Sequence, residues 1–506
     1  MTITVPGAPS WTVGLLAIVL VSGAVLRGVA LDRQGYWHDE IYSVSHLSGF
    51  DAYLFPGSDL EATEPVRSVE QWSEDLAERR WAETLPRNLV HEGHPPLYQL
   101  ALKAWTRVFG TSVWGVRSFS LVPGLVSILI LYLLASHFWG RGIGLVAATL
   151  TAASPFQVYF SMEARNYTWA ILFTALAVLA ISQIWSRQSR KTSGWMVLWW
   201  LSVMAASYTH YYAGLYCGTL LLLSVGASTR QRALHLTVPF LVFVPWLPML
   251  RSQLGLHSES HWTAGAPGFI ESISGFVNGM LDQLTGVFGS AGDVERSIAA
   301  AALLAALLLR AQVRPTVRIP AGLDRLFLSI PLFALLVVCV DLITNHHTIL
   351  VPRYSSSALP ALTLLVVSSV ALRPRIGSVL VVLLCTVNLF GSIETARGLR
   401  APKQMLREAA AYITNEYDDG DVVLVTPSGP TLVGIARYLP SHVMLGSAAP
   451  SDARLTAERL AEQGATVWLV TQRLGAAYEM NPQDLLNDKP PVRFVGLDLV
   501  RLEGAR

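Results

Sequence analysis

The stretch WTVGLLAIVLVSGAVLRGVAL, residues 11–31, decides the fold class of this chain. It holds one charged residue, Arg27, and it has the length of a membrane-crossing helix, which needs about 20 predominantly apolar residues. The next segment, DRQGYWHDEIY, residues 32–42, places Asp39 and Glu40 side by side. Carboxylates at the mouth of an apolar bundle are costly to desolvate, so this pair is a candidate functional site.

The composition of the whole chain points the same way. Hydrophobic residues make up 52% of the 506 residues and charged residues only 14%, against about 25% in soluble proteins. The formal net charge of +2 argues against a nucleic-acid partner. The three cysteines (Cys217, Cys339, Cys385) fall inside apolar segments at unrelated spacings, which is typical of packing thiols. We therefore expect a mainly α, polytopic membrane helix bundle.

Apolar segments of spanning length recur up to about residue 395. We predict about eleven spans, at 11–31, 117–138, 142–161, 167–186, 194–209, 212–228, 233–250, 294–311, 324–343, 353–372 and 376–393. The short apolar stretch 95–109 contains Lys103 and Arg107, so we expect a helix lying at the membrane interface. If that stretch crosses the membrane, the number of spans becomes twelve, within an expected range of about 11 to 13.

The basic residues support this arrangement. They cluster in the loops at 187–191, 230–232, 310–318 and 373–375, which all fall on one side of an eleven-span bundle. The positive-inside rule makes that side cytoplasmic. The polar motifs and the chain after the last span then lie outside, so we expect a protein of the cytoplasmic (inner) membrane with an extracytoplasmic active site.

The composition changes after about residue 395. Helical patterns at 402–417 and 455–463 alternate with apolar strands at 421–426 and 465–470, which indicates a small α/β domain. We therefore predict a transmembrane domain over residues 1–395 and a soluble extracytoplasmic α/β domain over 396–506. We expect an external loop at 32–95 that contains an amphipathic helix over 68–89. A second external loop is expected at 251–293, and it is either a mobile lid or a plain interfacial loop.

Short polar motifs stand at the external ends of the predicted spans. Glu163, Arg165 and Tyr167 follow the third span, and Arg353 with Tyr354 opens the tenth. A guanidinium matches a phosphate with two donors, although an arginine at this depth also reaches lipid head groups.

Histidines form a second set of candidates. His94 precedes Pro95-Pro96, whose fixed backbone suits the start of a helix, and His346 lies just before the tenth span. The external histidines lack the spacing of a helical metal site, so a metal would need ligands that converge in three dimensions. The metal is therefore unknown, and a divalent cation is left open.

In order and spacing, these motifs resemble the GT-C class of membrane glycosyltransferases over roughly residues 10–395. The resemblance is to bacterial relatives of the dolichyl-phosphate-mannose protein mannosyltransferases and to the aminoarabinose transferase of lipid A. The motifs that carry it are Trp37-His38-Asp39-Glu40, His94-Pro95-Pro96-Leu97-Tyr98, Glu163-Ala164-Arg165-Asn166-Tyr167 and Pro352-Arg353-Tyr354. Each motif is short, and their shared order makes the set specific.

The resemblance implies a polyprenyl-phosphate sugar donor and a lipid, glycan or protein acceptor on the extracytoplasmic face. By position, Asp39 matches the catalytic aspartate, which would act as general base on the acceptor hydroxyl. Glu163 matches a second acidic position, where relatives often carry aspartate. Arg165, Tyr167, Arg353 and Tyr354 would bind the donor phosphate, with Glu40, His94 and His346 in support.

Two functions from other classes stay open. A secondary transporter would carry ionisable residues or broken helices near the membrane midplane, with repeats relating two halves. Here the charged motifs lie at the ends of the spans, Asp341 is the nearest exception and sits close to an external end, and no internal repeat is visible in the sequence. The second alternative is a membrane protein that binds the polyprenyl lipid without catalysis.

Overall fold

The computed structural model describes residues 10–48, 64–71, 89–90, 93–186, 193–225, 230–257, 263, 265–286, 293–311, 322–400, 403–426, 430–472 and 491–503. The chain forms two compact units. One, called here the membrane unit, contains residues 1–31 and 93–401. The other, the α/β unit, contains residues 32–92 and 402–506. Residues 32–92, which the sequence assigns to the first external loop of the transmembrane domain, thus belong to the same unit as the C-terminal residues.

The helices are, in chain order, α1 Ser10–Gly28, α2 His38–Ser48, α3 Leu97–Phe109, α4 Val113–Trp139, α5 Arg141–Ala152, α6 Pro155–Ser161, α7 Tyr167–Ser186, α8 Ser193–Thr209, α9 Tyr211–Val225, α10 Arg230–Leu241, α11 Leu247–His257, α12 Phe269–Thr285, α13 Asp293–Ala311, α14 Leu323–Thr344, α15 Pro352–Ser355, α16 Leu359–Leu372, α17 Pro374–Ala396, α18 Leu406–Glu416, α19 Pro430–Ala436 and α20 Ala453–Glu462. The strands are β1 Glu64–Ser68, β2 Val422–Thr426, β3 Met444–Ser447, β4 Val467–Gln472, β5 Val492–Phe494 and β6 Leu497–Leu502.

The membrane unit is a bundle of apolar helices. Among the described residues, seven helices are long and apolar enough to cross a membrane, or eight if α5 and α6 form one bent span. Each of the eleven predicted spans coincides with one helix or with adjacent helices. The expectation of a mainly helical integral membrane protein is confirmed, while the number of spans stays a prediction. Within the predicted loop 251–293, α12 forms a helix of 17 residues.

A break between α5 and α6 precedes the candidate motif with Glu163 and Arg165. The axes of α5 and α6 meet at 58°, and Pro155 begins α6 because a proline needs no hydrogen-bond acceptor there. The fully buried guanidinium of Arg27 donates to the carbonyl oxygens of Thr151 and Ala152, at 3.1 and 2.9 Å. Arg27 thereby satisfies acceptors at the end of α5, which would be costly to leave unpaired in an apolar bundle. After this break, α6 leads directly into the turn that contains Glu163 and Arg165.

The α/β unit contains a six-stranded sheet with the order β1-β3-β2-β4-β6-β5. Strand β2 is parallel to both β3 and β4, and the outer pairings are antiparallel. Every residue of β2 and β4 is buried, as expected for the interior strands of an α/β sheet. The predicted helices and strands between residues 402 and 470 are present.

The edge strand β1 comes from the segment between the first two apolar runs. It pairs with β3, with Arg67 opposite Leu445 and Ser68 opposite Met444. The amphipathic helix that the sequence predicts over 68–89 begins where β1 ends. Residues 69–71 are helical, and 72–88 lie outside the described residues.

Candidate active site

Asp39 and Glu40 occupy the first turn of α2 and differ in their surroundings. Asp39 is half-buried, whereas Glu40 is fully buried. The Glu40 carboxylate lies 3.5 Å from the ammonium of Lys403, which is also buried. It also accepts a hydrogen bond from the backbone N–H of Trp37 at 3.4 Å, which caps the start of the helix. Glu40 therefore has a structural role in holding α2, and Asp39 is the more accessible carboxylate.

Other contacts fix α2 within the α/β unit. The amide of Gln472, at the end of β4, lies 3.3 Å from Nδ1 of His38, and Thr431 donates a hydrogen bond to the same amide group. Helix α2 packs closely on α19, because a Cβ on Gly434 would stand only 3.2 Å from the Ile41 side chain. Contacts of His38 and Ile41, on either side of Asp39 in the sequence, thus fix the position of Asp39.

In the membrane unit, Glu163 and Arg165 lie in the turn between α6 and α7. Both are buried, and the backbone N–H of Arg165 donates to the carbonyl oxygen of Glu163 at 2.8 Å. Ser120 on α4 donates to the carbonyl oxygen of Arg165 at 3.0 Å. The amide of Asn166 donates to the last carbonyl of α8, at Thr209, at 2.8 Å. Two neighbouring helices therefore hold this turn in place.

Arg353 and Tyr354 lie on the single-turn helix α15. Its start is fixed by Gln283, whose amide donates to the carbonyl oxygen of Pro352 at 3.0 Å. The guanidinium carbon of Arg353 lies 6.0 Å from the ring centre of Tyr167 and 5.6 Å from that of Tyr354. Cation–aromatic contacts of this kind hold a guanidinium without neutralising its charge.

His210 lies at the centre of this cluster, at the junction of α8 and α9. Its ring centre is 5.4 Å from that of His94, 5.8 Å from that of Tyr167 and 5.9 Å from that of Tyr354. A fourth ring, Tyr212, lies 5.8 Å away and stacks on Tyr354. We call these residues, with Arg165 and Arg353, the His210 cluster.

The environment of His210 keeps its imidazole neutral. The side chain is buried, and burial lowers the pKa of His210 well below its usual value. Repulsion from His94, Arg165 and Arg353 lowers this pKa further. The sequence places His210 among the external histidines and does not single it out. The signal was present in the run Tyr208-Thr209-His210-Tyr211-Tyr212, in which five polar or aromatic residues follow one another where two apolar helices meet.

His346 lies beside a capped turn near this cluster. Its Nδ1 is 2.6 Å from the carbonyl oxygen of Thr344, and Asp341 accepts hydrogen bonds from Thr348 and from the backbone N–H of Ile349. Thr348 also bonds the hydroxyl of Tyr212. In the described ranges, no group of three or more His, Cys, Asp or Glu residues is arranged to hold a metal ion.

The predicted site residues therefore fall in both units. The structure brings His94, Arg165, Tyr167, Arg353 and Tyr354 together around His210. Glu163 shares the turn of Arg165. His346 is linked to the cluster through Asp341, which accepts from the His346 backbone N–H and from Thr348, the partner of Tyr212. Asp39 and Glu40 belong to the α/β unit.

One part of the chain matches a known protein family. Residues 93–251 match the family model described as dolichyl-phosphate-mannose-protein mannosyltransferase. The resemblance to membrane glycosyltransferases is confirmed over these residues. They include His94, the turn with Glu163 and Arg165, and His210. No curated protein matches the chain.

The chain is similar to solved structures that include those of two proteins, one of them in two states. ArnT from Cupriavidus metallidurans in the apo state is 15% identical, with 97% of this chain and 98% of that chain covered and a TM-score of 0.42. The same protein bound to undecaprenyl phosphate is 14% identical, with 98% of each chain covered and a TM-score of 0.43. The apo oligosaccharyltransferase of Archaeoglobus fulgidus is 12% identical, with 91% of this chain and 69% of that chain covered and a TM-score of 0.48.

Proposed function

We propose that this chain is a membrane glycosyltransferase that moves a sugar from a polyprenyl-phosphate-linked donor to a hydroxyl of a lipid, glycan or protein. The observation that carries the proposal is the family match over residues 93–251, which contains the turn of Glu163 and Arg165. The match is to a family named for a lipid-phosphate-linked sugar donor. The matched range includes five members of the His210 cluster, which are His94, Arg165, Tyr167, His210 and Tyr212.

The proposed chemistry assigns a task to each charged group. The acceptor hydroxyl loses its proton as its oxygen attacks the anomeric carbon, and the carboxylate of Asp39 takes that proton. The bond between the sugar and the phosphate breaks, and the polyprenyl phosphate leaves with the electron pair. Arg165 and Arg353 stabilise the charge that grows on the phosphate. Glu163 is the second acidic group of the site, and apolar helices of the membrane unit hold the polyprenyl chain.

The remaining assignments follow from the same proposal. Tyr167 and Tyr354 orient the guanidinium of Arg353, while His94 and His346 support the cluster from its edge. Transfer takes place on the extracytoplasmic side of the inner membrane, which is the side opposite to the basic loops. A divalent cation and the identity of the sugar are left to experiment.

The test is a transfer assay in membrane vesicles of cells that make the protein, so that endogenous acceptors are present. Undecaprenyl phosphates carrying radiolabelled glucose, galactose, mannose or arabinose are supplied in parallel, and label in new products is measured. We expect transfer from one of these donors. Asp39→Asn should lower the rate by about 10²–10⁴-fold, since the base is removed while the side-chain volume is kept.

Asp32→Asn is the matched control, because Asp32 lies in the same segment and is exposed. It should transfer at the wild-type rate. Equal rates for Asp39→Asn and the wild type would remove Asp39 as the base. Donor binding by the wild-type protein without transfer would favour the non-catalytic lipid-binding function, and uptake of a solute without donor binding would favour a transporter.

A further inference from the structure

His210 has an unusual environment for a buried histidine. Its side chain is 3% exposed, and neither ring nitrogen has a hydrogen-bond partner among the residues that the structure describes. Burying a polar group without a partner is costly, because the group loses its hydrogen bonds to water. A phenylalanine would fill the same space among aromatic rings without that cost. The imidazole therefore indicates that a ring nitrogen forms a hydrogen bond when a ligand is bound.

The local backbone keeps the ring in this position. His210 lies between α8 and α9, with its N–H bonded to the carbonyl oxygen of Ala206 at 3.0 Å and its own carbonyl oxygen accepting from Ala213 at 3.0 Å. The two helices approach closely, since a Cβ on Gly214 would lie 3.1 Å from the Cα of Ser207. The ring is therefore held by two helices and by the rings around it.

The groups that face His210 define the chemistry of the ligand. They come from the segment before α3, from the turn before α7 and α7 itself, from α9 and from α15, and they are His94, Arg165, Tyr167, Tyr212, Arg353 and Tyr354. The charges that act on the ring are those of Arg165 and Arg353, with His94 as a further basic group. Two guanidiniums beside one imidazole favour an anionic oxygen over a neutral sugar hydroxyl.

We propose that His210 donates a hydrogen bond from its ring N–H to a phosphate oxygen of the donor, as a third contact beside Arg165 and Arg353. This inference rests on the proposed function and adds a binding residue to it. A neutral imidazole has one N–H donor, and burial together with the nearby cations keeps the pKa of His210 low enough for the neutral form at pH 7. The contact would persist as the phosphate leaves, so it should contribute to donor binding and to transfer.

The test compares three variants in the purified full-length protein. Binding of undecaprenyl phosphate is measured at pH 7.5 by quenching of tryptophan fluorescence, and transfer is measured with the donor that the vesicle assay identifies. His210→Phe keeps an aromatic ring without a donor, and we expect about 10- to 100-fold weaker binding, the effect of losing one hydrogen bond to a charged group. His210→Gln keeps an N–H donor and should recover part of the loss. His235→Phe is the control, because His235 is exposed and contacts Trp200 in another part of the unit.

The outcomes separate this inference from the proposed function. If the wild type binds and transfers while His210→Phe matches it in affinity, the inference is wrong and the function stands. Equal losses in His210→Phe and His210→Gln, with unchanged melting temperatures, would also contradict it, because the N–H donor would then not matter. If the wild-type protein neither binds undecaprenyl phosphate nor transfers, the proposed function itself fails.

Discussion

At the start of α2, the buried carboxylate of Glu40 faces the ammonium of Lys403 at 3.5 Å, so a charge of each sign is present. In the His210 cluster, by contrast, the basic groups that act on the central ring are His94, Arg165 and Arg353, and the rings of Tyr167 and Tyr354 lie beside Arg353. The α/β unit balances the buried charge by itself, as a structural support does. The His210 cluster instead places two arginines beside one buried imidazole, and the proposed phosphate contact is based on this arrangement.

The largest effect is expected from breaking the pair at α2. Lys403→Met leaves the carboxylate of Glu40 buried without its cation, which typically costs about 3–5 kcal/mol. We expect the free energy of unfolding in detergent, measured by urea titration, to fall by an amount in this range. Transfer should fall with it, because Glu40 adjoins Asp39 in the first turn of α2.

The double variant Glu40→Gln with Lys403→Met provides the control. It removes both charges, so it should be less destabilised than the sum of the two single variants. A strictly additive result would show that the two side chains do not interact. Replacement of Arg454, which forms a half-exposed pair with Glu458, by methionine should change stability by less than about 1 kcal/mol.

The helices at the predicted spans were predictable because each depends on a local run of apolar residues, whereas α12 lies in a segment that was predicted as a loop. The motif with Glu163 and Arg165 was found because polar residues stand out at the end of such a run. The break before it also has a local signal, Ser154-Pro155, although the partner that stabilises it, Arg27, lies 124 residues away from Thr151. Pairings over this distance depend on how the helices pack.

The α/β unit shows where sequence reasoning ends. Strands β2 and β4 are continuous apolar runs and were predicted, whereas β1 is a short polar segment, EPVRS, with no such pattern. It becomes a strand because β3 offers an edge for pairing. The ion pair of Glu40 with Lys403 likewise joins segments that are far apart in the sequence. His210 could not be distinguished from the other histidines in the sequence, because the aromatic rings and arginines around it come from distant segments of the chain.

A smaller effect is expected from changing the cation of the His210 cluster. Arg353→Lys keeps the charge but loses the planar pair of donors and the stacking on Tyr167 and Tyr354. We expect the dissociation constant for undecaprenyl phosphate to rise about tenfold, which corresponds to about 1.4 kcal/mol. Arg251→Lys, at an exposed position on α11, should bind as the wild type does. Unchanged affinity in Arg353→Lys would show that only charge matters at this position.

The smallest effect concerns the pH dependence of stability, and it tests the His210 cluster alone. The folded protein holds His210 neutral because burial, His94, Arg165 and Arg353 lower its pKa, whereas the unfolded chain binds a proton at this ring below about pH 6.5. The unfolded state then binds more protons, so the free energy of unfolding decreases as the pH falls below about 6.5, by at most about 1.4 kcal/mol per pH unit. Melting temperatures in detergent between pH 7.5 and 5.5 should therefore fall less steeply for His210→Phe than for the wild type, and His235→Phe should keep the wild-type slope. Parallel curves for all three proteins would mean that His210 is not held neutral in the folded state, and the negative phosphate would then meet an imidazolium in addition to two arginines.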